Sequence, residues 1–472
     1  MRRTKIVCTI GPASESPEVV KSLLEAGMDV ARLNFSHGTY DEHLARIETL
    51  RSAAKEMGKN LGILLDIQGP KIRLGKMEDP AGVMLERGQK YILTTEQCLG
   101  NAERSYVDYH GLPRDVKPGS VIYIDDGLIE LVVRDVKGND VHCEVVVGGQ
   151  LSSRKGVSLP GVDVDLPPVT DDDIEDIRFG VEHGVDFIAA SFVRRGEHVR
   201  AIRRIIEEAG GRQMIISKIE SEAGLRNIDE IIQASDGIMV ARGDLGVEIP
   251  PEEVPLAQKM LIRKCNEAGK PVITATQMLD SMIRNARPTR AEVTDVSNAI
   301  FEGTDCVMLS GETAVGKYPV KAVQVMDKIA RRMEMAIDYQ ALLTTKLAMT
   351  RNKVAEAICA AACQTTLDLS VNVILCSTRS GTTARQMSRF RPKATILALS
   401  PDPEVVRQLT LSWGVYALQV NEADTIEEML AQAVTEAKAR GLVSSGEITT
   451  IVAGVSVGKS GSTNLIQIQE VQ

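Results

Sequence analysis

Residues 215–244 hold the charges with the clearest chemical meaning. Ile215-Ile216-Ser217-Lys218-Ile219-Glu220 reads as a buried strand carrying a lysine and a glutamate two residues apart. A second apolar run, Gly237-Ile238-Met239-Val240-Ala241, breaks into Arg242-Gly243-Asp244. Residues i and i+2 of a strand face one side, so Lys218 and Glu220 aim at the same spot. Buried charges are costly unless paired or bound to a ligand. One ammonium and two carboxylates converging there suggest a divalent cation holding an anionic substrate. For any one of these residues alone, the alternative is a salt bridge.

Such charges need a scaffold that aligns strand ends. Short apolar runs alternating with helical patterns recur at Lys5–Ile10, Asp29–Asn34, Leu61–Asp66, Val185–Phe192, Met214–Glu220, Gly237–Ala241, Pro271–Thr276 and Cys306–Leu309. Glu182-His183-Gly184 and Glu267-Ala268-Gly269 end helices with a glycine past the last turn. Eight such units predict an α/β fold with a closed (β/α)8 TIM barrel over 1–69 and 169–340, a doubly wound open sheet being the alternative.

Barrel active sites form at the C-terminal ends of the strands. Arg32, Asn34, Ser36, Asp66, Lys218, Glu220, Asp244, Thr274, Thr276, Ser310 and Glu312 all fall there. No histidine or cysteine stands among them, so a nucleophile–base pair is not expected. Glu220 and Asp244 are hard oxygen ligands suited to Mg²⁺ (or Mn²⁺). Lys218 would neutralise a transferring phosphoryl group, and Arg32 offers a planar donor fork to phosphate. Gly243-Asp244-Leu245-Gly246 opens a short helix whose N–H groups suit a carboxylate.

The βα pattern is interrupted over 70–168. Val121–Ile124, Leu128–Val136 and Val141–Val147, with turns at Asp126-Gly127 and Gly138-Asn139-Asp140, predict an inserted all-β domain, a small β-barrel able to close as a lid. After a helix ending near Tyr339, a linker over Leu342–Met349 is expected to lead to a C-terminal α/β domain over 350–472. Its strands are read at Val371–Cys376, Ala394–Ser400, Gly414–Val420, Glu447–Ala453 and Leu465–Val471.

Composition narrows the function classes. A net charge of −9 argues against nucleic-acid binding. No run approaches the ~20 apolar residues of a membrane span. Met1-Arg2-Arg3-Thr4-Lys5 leads straight into a strand-like run without a signal peptide's apolar region. The eight cysteines form no C-x-x-C pair, and Cys359 and Cys363 read as small buried residues before they read as ligands. A reducing cytoplasm is the expected location. No further domain is expected after Gln472.

Several motifs carry a resemblance. Thr4–Pro12 (TKIVCTIGP), Ala31–Gly38 (ARLNFSHG), Ser217–Glu220 (SKIE), Ile238–Glu248 (IMVARGDLGVE), Ile273–Ser281 (ITATQMLDS), Arg287–Glu292 (RPTRAE) and Met308–Thr313 (MLSGET) occur in this order. Together they resemble the pyruvate kinase family along essentially the whole chain. The resemblance implies phosphoryl transfer from phosphoenolpyruvate to ADP, giving pyruvate and ATP, with Lys218 at the transition state and Arg32 on the phosphate. It implies Glu220 and Asp244 as Mg²⁺ ligands, and Gly243, Asp244 and Thr276 around the substrate carboxylate. Thr276 and Ser310 lie near the water that protonates the enolate. Arg73, Lys155, Asn34 and His37 face the nucleotide. Asn34, Ser36, Asp66 and Ile67 match a K⁺ site, and the assembly implied is a homotetramer.

Lys71 stands where K⁺-requiring members carry glutamate. A tethered ammonium repels a second cation nearby, so Lys71 is expected to replace K⁺ and make it dispensable. In the C-terminal domain, Ser377-Thr378-Arg379-Ser380-Gly381-Thr382-Thr383 joins a strand to a helix as an anion-binding loop. The resemblance makes it the seat of a sugar-phosphate or AMP effector, with Lys459 closing over it. Two rival readings are a Mg²⁺-dependent aldolase or lyase, and a non-catalytic phosphate sensor.

Overall fold

In a computed structural model that describes residues 1–348, 353–454 and 463–472, eight parallel strands close into a barrel. They are Lys5–Thr9, Val30–Asn34, Gly62–Asp66, Phe187–Ala190, Met214–Ile219, Gly237–Ala241, Val272–Ala275 and Cys306–Leu309. Each pairs with its chain neighbours and the eighth returns to the first. Every run read as a barrel strand is one, most of them shortened by a residue or two. The helices between them stop as expected, with Gly184 at φ 65° and Gly269 at φ 68°.

Period-2 alternation sorts each strand into two faces. Val7, Val30, Leu64, Phe187, Ala189, Met214, Ile216, Met239, Ile273 and Met308 form one buried cluster inside the barrel. The opposite faces pack against the helices. Two residues further along the inward-facing rows, the residue type changes to Thr9, Arg32, Asp66, Ser191 and Lys218. The barrel is thus apolar below and charged at its C-terminal mouth. Two strands give way there to left-handed residues, Phe192 at φ 53° and Thr276 at φ 69°. Side-chain-bearing residues rarely adopt that conformation without compensating contacts.

The insert between the third and fourth strands has its own core around Tyr91, Leu93, Ile122, Leu131 and Val145. Its strands form a six-stranded sheet and a separate pair, and residues 73–77 bridge from one edge of that sheet to the other. One six-stranded sheet runs from Val157–Ser158 at one edge to Arg104–Tyr106 at the other, and Val83–Leu85 pairs separately with Gly149–Leu151. Leu74 N–H donates to Lys155 O at 2.9 Å on one side of that segment, and Gly75 N–H donates to Tyr106 O at 2.8 Å on the other.

The C-terminal sheet orders Val415–Gln419, Thr395–Ser400, Val373–Ser377, Ile448–Gly454 and Thr463–Glu470, the last antiparallel. It docks beneath the barrel. Leu411 joins the interior cluster, Arg391 pairs with Asp305 at 2.8 Å, and Arg407 pairs with Asp186 at 2.7 Å. The linker expected over Leu342–Met349 is largely helix, Tyr339–Leu347; Met349 lies outside the described residues. Asp338 caps this helix, and Leu343 is buried against the C-terminal core. That long-range burial is not visible in the local pattern.

Candidate active site

Three strands, the second, third and fifth, bring one ionic chain together at the barrel mouth. Arg32 Nε donates to Asp66 Oδ2 at 2.6 Å, and an Arg32 Nη donates to Thr9 Oγ1 at 3.0 Å. The Lys218 ammonium lies 3.3 Å from Asp66 Oδ1 and 2.9 Å from Glu220 Oε1. It also donates to Ser191 Oγ at 2.7 Å, and that hydroxyl donates to Ile67 O at 2.7 Å. Asp66 is only 1% exposed and serves both cations. Burial opposes its ionisation, yet Lys218 and Arg32 outweigh burial and hold its pKa below the usual value. Burial likewise works against the Lys218 ammonium, and Asp66 and Glu220 reverse that, raising its pKa. Both groups are therefore charged at neutral pH.

Glu220 is the strained member. Burial pushes its pKa up, Lys218 opposes this, and Asp244 adds repulsion. Its Oε2 accepts the Phe192 N–H at 2.6 Å, a bond made possible by the left-handed turn at Phe192. Its Oε1 faces the ammonium as an ion pair but has no aligned hydrogen-bond donor. A buried carboxylate oxygen with an open lone pair, repelled by a second carboxylate, fits a hard divalent cation. Among the described residues no group of three acidic, histidine or cysteine ligands gathers. A cation held by Glu220 and Asp244 would take its remaining oxygens from substrate and water.

A cavity of about 1190 Å³ opens over this chain, between barrel and insert. Arg32, Asn34, Ser36, His37, Lys71, Arg73, Lys218, Glu220 and Asp244 all line it. Gly243 and Thr276 sit outside its wall, joined by a Gly243 N–H to Thr276 Oγ1 bond of 2.8 Å. Arg242 fixes that corner by donating to Thr276 O at 2.6 Å and pairing with Asp295 at 2.7 Å. Ser310 is also outside, its N–H bonded to Glu312 Oε2 at 2.8 Å. Lys155 turns away to Asp125 at 2.9 Å, and the neighbouring Arg154 lines the cavity instead.

Two groups tied to the expected monovalent site have partners of their own. The Lys71 ammonium lies 3.4 Å from Asp244 Oδ1 and 3.6 Å from Asp126 Oδ1, with no bond to Asn34, Ser36 or Asp66 among the described residues. Asp66 has both oxygens engaged, by Arg32 on one and by Lys218 and Ser191 on the other. Opposite charge draws Lys71 to the exposed carboxylates rather than to one already neutralised. Ser191 was missed by the sequence reading. Its signal was the alternation Phe187, Ala189, Ser191 along the fourth strand.

In the C-terminal domain the loop 377–383 enters helix Thr382–Arg389 through Gly381 at φ 75°. Ser380 and Thr382 hydroxyls meet at 3.0 Å, Thr383 meets Thr463 at 2.7 Å, and Arg379 pairs with Glu422. Thr378 N–H is bonded to Leu399 O at 2.9 Å, which anchors the loop's start. Lys459 lies outside the described residues.

The chain was compared with known proteins. A family model described as the pyruvate kinase barrel domain matches residues 1–323, and one for the pyruvate kinase alpha/beta domain matches 356–469. A pyruvate kinase of Sporosarcina psychrophila is 53% identical over 474 residues, covering 100% of this chain and 81% of its own length. One from Staphylococcus aureus (strain MRSA252) is 50% identical over 473 residues with the same coverage. The crystal structure of a pyruvate kinase from Cryptosporidium parvum superposes with a TM-score of 0.95 at 42% identity, covering 100% of this chain and 96% of that one.

Proposed function

The chain belongs to the pyruvate kinase family, and from that premise we propose that its barrel mouth moves the phosphoryl group of phosphoenolpyruvate to ADP. The observation that carries this reading is the buried chain Arg32–Asp66–Lys218–Glu220, which fixes two cations at the floor of the cavity. Phosphoryl transfer needs positioned positive charge more than covalent chemistry. The bond from phosphorus to the C2 oxygen breaks as one forms to a terminal phosphate oxygen of ADP. The enolate left behind takes a proton at C3, giving pyruvate.

Lys218 and Arg32 meet the transferring group, held in place by Asp66 and charged throughout. Glu220 and Asp244 would hold Mg²⁺ (or Mn²⁺), which when bound supplies further neutralisation of phosphate charge. The N–H groups of Gly243 and Asp244 and the Thr276 hydroxyl take the substrate carboxylate, Gly243 exchanging its bond to Thr276 Oγ1 for the ligand. Thr276 and Ser310 orient the water that delivers the proton. Asn34, His37 and Arg73 contact the nucleotide, and Lys155 joins them by leaving Asp125. Lys71 holds a fixed positive charge in the same cavity as Asn34 and Ser36, and on that ground K⁺ is dispensable.

The loop 377–383 with Lys459 would bind a sugar phosphate or AMP and shift a homotetramer toward higher substrate affinity, which requires unequal effector affinity in two states. Cytoplasmic location follows from the glycolytic role of the family; none of the helices in the described residues is long and apolar enough to cross a membrane. The reading is tested by a lactate-dehydrogenase-coupled assay for pyruvate that requires both phosphoenolpyruvate and ADP. Pyruvate formed from phosphoenolpyruvate without ADP would mean hydrolysis in place of transfer, pyruvate formed from another substrate without either would favour a lyase, and no activity would leave a phosphate sensor.

A further inference from the structure

The insert wall of the barrel cavity carries cations that the ionic chain on the floor does not use. Arg73, Lys76 and Arg154 all line the cavity from that side. Arg73 stands opposite Gly156 across an antiparallel bridge. Alternation sends the neighbouring Lys155 to the other face, where it meets Asp125 at 2.9 Å. Arg154 is left-handed at φ 61°, held there by its N–H bond to Gly75 O at 3.1 Å. A side-chain-bearing residue in that region is strained, and such strain collects at functional positions.

The carboxylates around the cavity are committed to other cations. Asp66 and Glu220 meet Arg32 and Lys218, Asp244 and Asp126 meet Lys71, and Asp125 meets Lys155. Asp108 accepts the Arg73 N–H at 2.7 Å and attracts its guanidinium. Lys76 and Arg154 are exposed, and among the described residues their side chains have neither an ion pair nor a hydrogen bond. On the phosphoryl-transfer reading, on which this inference rests, the incoming ADP oxygen stands in line with phosphorus and the leaving oxygen. Gly243 and Thr276 take the substrate carboxylate on the barrel side, so the diphosphate of ADP lies toward the insert wall.

We infer that Arg154 is a phosphate contact for the nucleotide, its guanidinium meeting oxygens of the ADP diphosphate, with Lys76 beside it as further positive charge. A planar donor fork suits two phosphate oxygens at once. Lys155 must give up Asp125 to reach the nucleotide, whereas the Arg154 side chain has no bond to break. The contact adds affinity for the nucleotide and leaves the phosphoenolpyruvate subsite untouched.

The test compares the full-length wild type with Arg154→Gln, and with Lys117→Gln, which removes the same charge from an exposed place on the insert outside the cavity. Steady-state kinetics are run against ADP and against phosphoenolpyruvate, and ADP binding is measured by isothermal titration in the presence of Mg²⁺. In Arg154→Gln the KM and Kd for ADP are expected to rise about tenfold, the loss of one hydrogen bond to a charged group, with the KM for phosphoenolpyruvate unchanged. Lys117→Gln is expected to match wild type. Unchanged ADP affinity in Arg154→Gln, or an equal loss in Lys117→Gln, overturns the inference, while pyruvate formation by wild type keeps the phosphotransfer reading. A wild type that forms no pyruvate but whose ADP binding weakens in Arg154→Gln keeps the contact and removes that reading. No saturable ADP binding by wild type overturns both.

Discussion

The Lys71 ammonium sits 3.4 Å from Asp244 Oδ1, on the carboxylate that the phosphoryl site would use to hold its divalent cation. It also reaches Asp126 of the insert at 3.6 Å. One lysine at the base of the insert therefore ties a barrel ligand to a turn of the inserted domain, and a divalent cation arriving at Asp244 must displace it.

Lys71→Gln is expected to lower the Mg²⁺ concentration for half-maximal rate by about threefold, since a partly exposed cation beside Asp244 is worth under ~1 kcal/mol. The measurement is initial rate against free Mg²⁺ at saturating substrates. An unchanged or weaker Mg²⁺ response would show that the pair is incidental.

For the wild type, adding K⁺ to potassium-free Tris or tetramethylammonium buffer is expected to raise the rate less than about tenfold, because a fixed ammonium already occupies the cavity. A larger stimulation removes Lys71 as the substitute for K⁺.

Lys218→Met should lower kcat by about 10³ with a small change in KM, the usual loss for one preorganised charge that acts on the transition state. Ser191→Ala leaves the ammonium in place but removes its link to Ile67 O and should cost about tenfold in kcat, one hydrogen bond's worth. Steady-state kinetics on both variants, with circular dichroism to verify folding, decides the order. A Ser191 variant as impaired as Lys218→Met would mean that Asp66 alone cannot position the lysine.

Glu248 ends the short helix that begins at Arg242 and is bonded to Ser158 of the insert. Burial pushes its pKa up to about 7, Ser158 opposes the shift, and Asp244 and Glu222 add to it. The folded state thus holds a proton that the unfolded chain has lost, between the ordinary glutamate value and about 7. Stability from this group is greatest below that ordinary value and falls as pH rises through about 7. Glu248→Gln should flatten the dependence, raising the melting temperature at pH 8 by on the order of 1 °C relative to wild type while leaving pH 5 unchanged. Melting curves from pH 5 to 8.5 test it; an identical slope in both proteins would exclude Glu248 as the cause.

Titrating candidate sugar phosphates and AMP against the phosphoenolpyruvate saturation curve, in wild type and Arg379→Ala, tests the C-terminal loop. A left shift in wild type that disappears in the variant is expected, and identical curves with every effector refute regulation through 377–383.

Much of this molecule is legible along the chain because its determinants are local. The barrel strands are short apolar runs set off by helix caps, and alternation places Lys218 and Glu220 on one face of the fifth strand. That row, with Arg32 and Asp244, already specified charge chemistry on a phosphate. What the linear pattern lacks is the stagger between neighbouring strands. Closing the barrel sets Asn34 beside Asp66 and Ala190 beside Ser217, and only then does Asp66 become the shared counter-ion of Arg32 and Lys218, with Ser191 beneath. The same holds for long side chains on the insert. Lys71 meets Asp244 because that carboxylate comes within a few ångströms once insert and barrel pack, and Lys155 meets Asp125 across the pairing of Val157–Ser158 with Val121–Ile124 inside the insert. Residue spacing fixed which groups are present and which face they leave from; tertiary packing decided which opposite charges they meet, because Coulomb attraction depends on distances that only the closed barrel defines.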